Sequence, residues 1–333
     1  MSNQPRATLI KTLLRLTLIV FSLFIFAGCS EKNDAVIKIG MLKGPTGMGA
    51  VWLMEQNELG QTNNKYDFSA LANSPDEISM KLLDGQLDIA AVPTNLAAIL
   101  YNKTKGGILV AAVHTLGMLY ILENGDTIHS VADLAGKEIF ITGEGGVPQY
   151  AFEYILTANG LDPQNGLKIT YVSEHAALAA QMTANVVVLG MLPEPNVTAV
   201  MENNKAVRIA LNLTEEWRKV AGEEAGELAM GCLVVRKEFA EKNPQAFKAF
   251  LEEYENSIKY ALNNTKEAAA LCEKHGVIPN KDIAEKALPK CNITYIEGSE
   301  MIPIVKGFLT VLFNANAKSV GDKMPGDDFY YVK

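Results

Sequence analysis

Val36-Ile37-Lys38-Ile39-Gly40-Met41-Leu42, then Lys43-Gly44-Pro45-Thr46-Gly47-Met48-Gly49, then Ala50-Val51-Trp52-Leu53-Met54-Glu55: this stretch decides the fold. An apolar run leads into a glycine-rich turn, and the turn into a helical pattern. The grammar is buried strand, glycine loop, helix N-terminus. Glycines let a backbone approach a partner closely, and the helix start adds unpaired N–H donors with a partial positive charge. Together they suit an anionic or carbonyl-bearing group. The same loop serves equally well as a turn that packs a helix on a sheet. Thr46, Gly47 and Met48, at the loop-to-helix step, are the first candidate ligand contacts. Trp52 is either core or a ring on which a flat ligand stacks.

Strand and helix then alternate. Tyr66–Leu71 reads as a strand. Ser74-Pro75-Asp76-Glu77 carries the pattern of a capping box ahead of a helix that stops at Asp84-Gly85. Leu87–Val92 is the next strand, and Pro93-Thr94-Asn95 opens the next helix. Ile108–Val113 and Gly117–Leu122 are further strands. The same grammar restarts with strand Lys137–Thr142, the glycine loop Gly143-Glu144-Gly145-Gly146-Val147-Pro148, and a helix from Gln149 to Ala158. Strand Leu167–Val172, helix Glu174–Met182 and strand Val186–Leu189 follow, and then Met191-Leu192-Pro193-Glu194-Pro195-Asn196. In both halves proline stands where a strand gives way to a helix. The chain is therefore an α/β fold with a largely parallel sheet in each half, built as a pseudo-repeat of two units. Open α/β sheets bind ligands beyond the carboxyl ends of their strands. That places Thr94, Asn95, Gly145, Gly146, Val147 and Glu194 beside one cleft. Each has a plainer role too: Thr94 and Asn95 as helix caps, the glycines as a turn, Glu194 as a solvated carboxylate between prolines. Beyond strand Gly231–Val235 the sequence is rich in helices at 245–262, 268–287 and 299–313.

The N-terminus has its own logic. Arg6, Lys11 and Arg15 precede the apolar run Leu16–Ala27, which stops at Gly28-Cys29-Ser30. Residues 1–28 read as a signal peptide, too short to be a comfortable membrane span. Phe26-Ala27-Gly28-Cys29 resembles a bacterial lipobox, although Phe26 replaces the usual aliphatic residue. That resemblance implies that Cys29 is acylated and becomes the first mature residue, with 29–35 as a tether. Ordinary secretion without Cys29 is the alternative. Removing 1–28 removes three cations and no acid, taking the net charge from −8 to −11. Such an acidic chain argues against a nucleic-acid partner.

Cys272 and Cys291 are candidates for a disulfide in an exported protein, and Cys232 sits in an apolar strand as a buried thiol. The cysteine spacings match no zinc site, and His114, His129, His175 and His275 are scattered, so no metal is expected. Gly44, Gly47 and Gly49 do not have the spacing of the dinucleotide fingerprint, and no Walker loop is present. No cofactor is expected, and no nucleophile–base pair points to an enzyme.

Leu83-Asp84-Gly85-Gln86-Leu87-Asp88-Ile89-Ala90, the Pro93-Thr94-Asn95 turn, Leu134-Ala135-Gly136-Lys137, Leu192-Pro193-Glu194-Pro195 and Asn243-Pro244 occur in that order. With the lipobox, this order resembles the solute-binding lipoproteins of bacterial ABC importers. Within them it is similar to the group that binds sulfonates, taurine and thiamine-pyrimidine precursors. The resemblance implies a two-lobed periplasmic-binding-protein fold with two crossover strands. Lobe one is then 36–120 plus 232–333, and lobe two 121–231. It also implies a monomer that captures an anionic, zwitterionic or heteroaromatic solute at the outer face of the cell membrane. Its partners would be an ABC permease and the permease's ATPase.

Overall fold

The computed structural model describes residues 36–222 and 226–332. The signal peptide, the tether and Cys29 lie outside them. Among the described residues, eleven strands form two sheets. The first joins β1 (Val36–Leu42), β2 (Lys65–Ala72), β3 (Ile89–Pro93), β4 (Ile108–Thr115), β10 (Gly231–Arg236) and β11 (Ile293–Glu297), in the order β11-β4-β10-β3-β1-β2. The second joins β5 (Leu119–Asn124), β6 (Glu138–Ile141), β7 (Lys168–Tyr171), β8 (Leu189–Pro193) and β9 (Val207–Asn212), in the order β7-β6-β8-β5-β9.

Set β11 aside and the two sheets have one plan. A parallel trio, β2-β1-β3 or β7-β6-β8, is followed by one reversed strand and then a last strand. The reversed strand is β10 in the first sheet and β5 in the second, each antiparallel to both neighbours. Both arrive from the other sheet. The chain passes from β4 through Leu116, Gly117 and Met118 into β5, and returns through Met230 into β10. The Met230 N–H donates to the Thr115 carbonyl at 3.0 Å, so the two crossovers run side by side. The protein is thus the expected two-lobed α/β fold of periplasmic-binding-protein type. Its sheets are mixed, because a strand entering from the opposite lobe must run against its hosts.

The central strands are buried on both faces, as a sheet covered by helices requires. On one face Val92, Val110, Val113, Cys232 and Val234 pack with Phe308, Leu309 and Leu312 of helix Gly298–Ala315. On the other, Ile39, Ala91, Ala111, Leu233 and Val235 pack with Phe247, Phe250, Leu251 and Tyr254 of helix Pro244–Asn263. Helix Gly298–Ala315 also lies against helix Val147–Ala158 and sets Phe308 beside Trp217, with ring centroids 5.5 Å apart. One apolar core therefore runs through both lobes.

Several expectations shift. The strand expected at Val186–Leu189 lies at Leu189–Pro193, and Val186 and Val188 are 73% and 56% exposed. Strands β9 and β11 and helix Leu213–Ala221 have no counterpart in the sequence reading. The helix-rich stretch 268–287 does hold helices, Thr265–Lys274 and Lys281–Ala287, separated at Gly276 (φ +68°). Ser74 caps its helix through the Asp76 N–H at 3.2 Å, but Glu77 pairs with Lys81 at 2.9 Å, so the reciprocal half of the box is not used. Cys272 and Cys291 form no disulfide. Both are buried free thiols, and Cys291 Sγ instead sits 3.8 Å from Met48 Sδ.

Candidate ligand cleft

The strand of each trio that borders the reversed strand ends in proline, Pro93 in β3 and Pro193 in β8. Each proline pairs with the first residue of the reversed strand, Pro93 with Gly231 and Pro193 with Leu119. The next N–H is then fixed in the same way. Thr94 donates to the Met230 carbonyl at 3.2 Å, and Glu194 donates to the Met118 carbonyl at 3.1 Å. Thr94 and Glu194 are thus structural equivalents. Each stands at the carboxyl end of its sheet, against a crossover, where a helix begins: Thr94–Thr104 in one lobe and Asn196–Asn203 in the other. This is the end of an open α/β sheet at which ligands bind.

The two turns differ in chemistry. Thr94 is fully buried, and its hydroxyl faces the Cys232 thiol rather than an oxygen or nitrogen partner. Asn95 is 2% exposed; its Nδ2 donates to the Ser319 carbonyl at 3.2 Å, while its Oδ1 is unpartnered. Glu194 is 1% exposed, and the Glu194-Pro195 peptide is cis. Its Oε2 accepts from the Thr198 N–H at 3.0 Å and its Oε1 from the Thr198 hydroxyl at 3.0 Å, so the carboxylate caps its own helix. Burial pushes the Glu194 pKa up, while Thr198 and Lys290 pull it down. Tyr120 and Cys291 both feel the Glu194 charge, which adds to the burial that raises their own pKa values.

The first glycine loop forms a one-turn helix, Pro45–Met48, and then helix Val51–Glu58. Gly44 needs its left-handed φ of +91°. Gly47 serves packing, because a Cβ there would lie 2.8 Å from Val277 Cγ1. Met48 is buried against Cys291, and Thr46 is half-buried. The Trp52 ring stacks on Tyr260, 3.9 Å between centroids and 13° between planes, so one of its faces is taken by protein. In the second loop Gly145 is exposed at φ +72°, and its N–H donates to Gln149 Oε1 at 2.7 Å. Gly146 is half-buried, and Val147 is core at the start of its helix.

Met48, Cys291, Tyr120 and Glu194 therefore share one region where the lobes meet. Among the described residues, no hydrogen bond, ion pair or ring contact joins Gly145, Gly146 or Val147 to the first loop. Sequence reasoning missed Tyr120, Lys290 and Cys291 as neighbours of Glu194, since nothing local marks them. It also missed Glu55, Glu58 and His275, whose potential ligand atoms lie within 4.8 Å of one another. The Lys274 ammonium already bonds both carboxylates, at 2.9 Å to Glu58, which makes this group an ion-pair joint between two helices.

Comparison with known proteins bears on the fold. In fold the chain is similar to an ABC transporter protein from Parabacteroides distasonis, with 24% identity, TM-score 0.74, and coverage of 90% of this chain and 100% of that one. It is also similar to the periplasmic aliphatic sulphonate binding protein SsuA of Escherichia coli, with 16% identity, TM-score 0.69, and coverage of 87% and 92%. A third is the periplasmic nitrate-binding protein NrtA of Synechocystis, with 16% identity, TM-score 0.60, and coverage of 89% and 87%. No curated protein matches. The family model for the phosphonate periplasmic substrate-binding proteins of ABC transporters matches residues 67–282. The chain belongs to that family and is a substrate-binding component of an ABC importer.

Proposed function

We propose that this protein is a lipid-anchored receptor that captures a small organic solute between its lobes and delivers it to a membrane permease and its ATPase. The reading takes 36–120 plus 232–333 as one lobe and 121–231 as the other. It takes Thr46, Thr94, Asn95, Gly145, Gly146 and Glu194 as the contact edge, with Gly47, Met48, Trp52 and Val147 supporting it from behind. The observation that carries it is the equivalence of Thr94 and Glu194, each fixed against a crossover at the carboxyl end of its sheet. A ligand held between such turns draws the lobes together, and contacts made only in the closed form supply the affinity. Asn95 Oδ1, buried without a partner, is a group that a bound solute would satisfy. No bond is made or broken. Burial of acyl methylenes on Cys29, each contributing about 0.8 kcal/mol, would hold the monomer at the extracytoplasmic face of the membrane.

Native mass spectrometry of the protein as purified, followed by melting curves with sulfonates, phosphonates, pyrimidines, flavins and small anions, tests capture. A co-purified solute or a ligand-dependent rise in Tm is expected. If no solute in the panel moved Tm and none co-purified, capture would be refuted. Replacement of Cys29 by serine is expected to move the protein from the membrane to the soluble fraction, and its retention would refute the anchor.

A further inference from the structure

Helix Val51–Glu58 and helix Thr265–Lys274 meet at a joint that shares no residue with the proposed contact edge. Glu55 and Glu58 are three positions apart, so their carboxylates lie on one face of the first helix. His275 caps the C-terminus of the second, just before Gly276 (φ +68°), and its side chain is 9% exposed. Its Nε2 lies 3.0 Å from Glu55 Oε2, and its Nδ1 lies 3.6 Å from Glu58 Oε1. The Lys274 ammonium bonds Glu55 Oε2 and lies 2.9 Å from Glu58 Oε2. A cation position is thus already shaped between the two carboxylates, and one positive charge fills it against two negative ones. Lys274 reaches that position from the surface on a flexible four-carbon stem, with 47% of its side chain exposed. Beside Glu58 and His275 opens a cavity of about 300 Å³, lined also by Met54, Asn57, Phe68 and Leu71.

We propose that Glu55, Glu58 and His275 form a binding site for a first-row divalent cation of the zinc type, which takes the place of the Lys274 ammonium. One potential ligand atom from each residue lies within 4.8 Å of the other two. Ligand atoms on a tetrahedral zinc, with bonds of about 2.0–2.2 Å, stand about 3.4 Å apart. The Glu55–His275 pair is already inside that span, and the Glu58 side chain, 56% exposed, has room to swing in. His275 binds as the neutral ring through Nε2. Its Nδ1–H then faces Glu58 Oε1, and a carboxylate on the far nitrogen is what orients a ligating imidazole. The cavity leaves the fourth position to water. An imidazole among carboxylates favours zinc and its neighbours over magnesium and calcium, which take oxygen ligands. The displaced ammonium turns out to solvent, still protonated. Sequence spacing gives no sign of this site, because Glu55 and His275 are 220 positions apart. The cation ties the helix that follows the first glycine loop to helix Thr265–Lys274, and its role is structural.

Titration calorimetry of zinc chloride into EDTA-treated protein tests the site, with magnesium chloride as the control. Zinc is expected to bind with a Kd of about 50 μM or tighter, and magnesium at least about tenfold more weakly. Zinc at about 100-fold above its Kd should raise Tm by about 4 °C. His275→Gln keeps a polar side chain between the carboxylates but loses the imidazole, and should weaken zinc at least about fivefold. Lys274→Met removes the competing ammonium and should bind zinc more tightly than the wild type does. The proposal is overturned if the wild type binds zinc more weakly than stated, or if magnesium binds as well. It is overturned too if His275→Gln loses less than stated, the mark of an adventitious ion only, or if Lys274→Met binds no tighter. Should one variant fold poorly, the other decides. Solute capture stands or falls separately, on the native mass spectra and the melting panel.

Discussion

Lys286 Nζ lies 2.5 Å from Glu202 Oε2 and joins helix Lys281–Ala287 of the first lobe to helix Asn196–Asn203 of the second. The side chains are 53% and 34% exposed, so the pair belongs to the surface class worth roughly 0.2–1 kcal/mol. Its importance is that it joins two helices that belong to different lobes. At that strength it changes the ratio of closed to open protein by up to about fivefold. Lys286→Glu sets two carboxylates together and is expected to raise the radius of gyration of the unliganded protein in solution scattering. High salt should move the wild type toward the variant, since exposed charges are screened. Adding Glu202→Lys should restore only part of the closure, because Lys205, 3.4 Å from Glu202, would then be repelled. An unchanged radius in Lys286→Glu would show that the pair is not a latch.

His114 carries a pH-dependent term. It is 1% exposed, and burial pushes its pKa down from 6.5 to about 4. The unfolded chain therefore binds a proton that the folded protein refuses. The neutral ring's contribution is fully present above pH 6.5 and is lost as pH falls from 6.5 toward 4. The shift corresponds to about 3 kcal/mol at the acid end. His114→Asn lowers stability at neutral pH but should flatten the fall in Tm between pH 7 and pH 4 relative to the wild type. Parallel Tm profiles for the two proteins would contradict this.

Gly231 is needed for that same ring. A Cβ at this position would lie 2.6 Å from His114 Cε1 and 3.0 Å from Nε2, inside a closed core. Overpacking of this kind costs about 1–3 kcal/mol. Gly231→Ala is expected to lower the urea midpoint accordingly. Combining it with His114→Ala should cost less than the sum of the two single changes, because the ring that clashes is gone. Simple additivity in the double mutant would show that the strain lies elsewhere.

The repeat was legible because its signals are local. Pro93 and Pro193 each follow a fully apolar strand, and the glycine loops precede helices that sequence periodicity identifies. β9 was illegible because Arg208 is paired with Glu123 and Ile209 is 36% exposed, so the strand shows no clean alternation. At the β8 boundary, Val186 and Val188 look like a buried strand and are surface. The cleft was legible only from one side. Thr94 and Glu194 follow from the proline pattern, but Cys291 is 243 residues from Met48 and Lys286 is 84 from Glu202. Contacts at such separations are made by tertiary packing, and no sequence window contains both partners.

Trp52 shows how a local reading and a distant partner compete. One turn into a helix beside a glycine loop, it is well placed to stack on a ligand, yet Tyr260 on helix Pro244–Asn263 takes that stacking at 3.9 Å. The neighbouring backbone is fixed to the same helix, since the Leu53 N–H donates to Ser257 Oγ at 3.0 Å and Ser257 Oγ donates to the Gly49 carbonyl at 2.7 Å. Trp52 thus clamps the first loop to helix Pro244–Asn263. An aromatic pair of this geometry contributes about 0.5–1.5 kcal/mol beyond its buried area. Tyr260→Ala is expected to lower Tm by that pairing energy plus the lost burial, and Trp52→Ala by a similar amount. With the partner ring already gone, Trp52→Ala should cost markedly less, the sign of direct coupling. Solute affinity, measured well below the lowered Tm, should stay within about twofold of the wild type in Tyr260→Ala. A large loss of affinity in Trp52→Ala with none in Tyr260→Ala would return Trp52 to the ligand contacts.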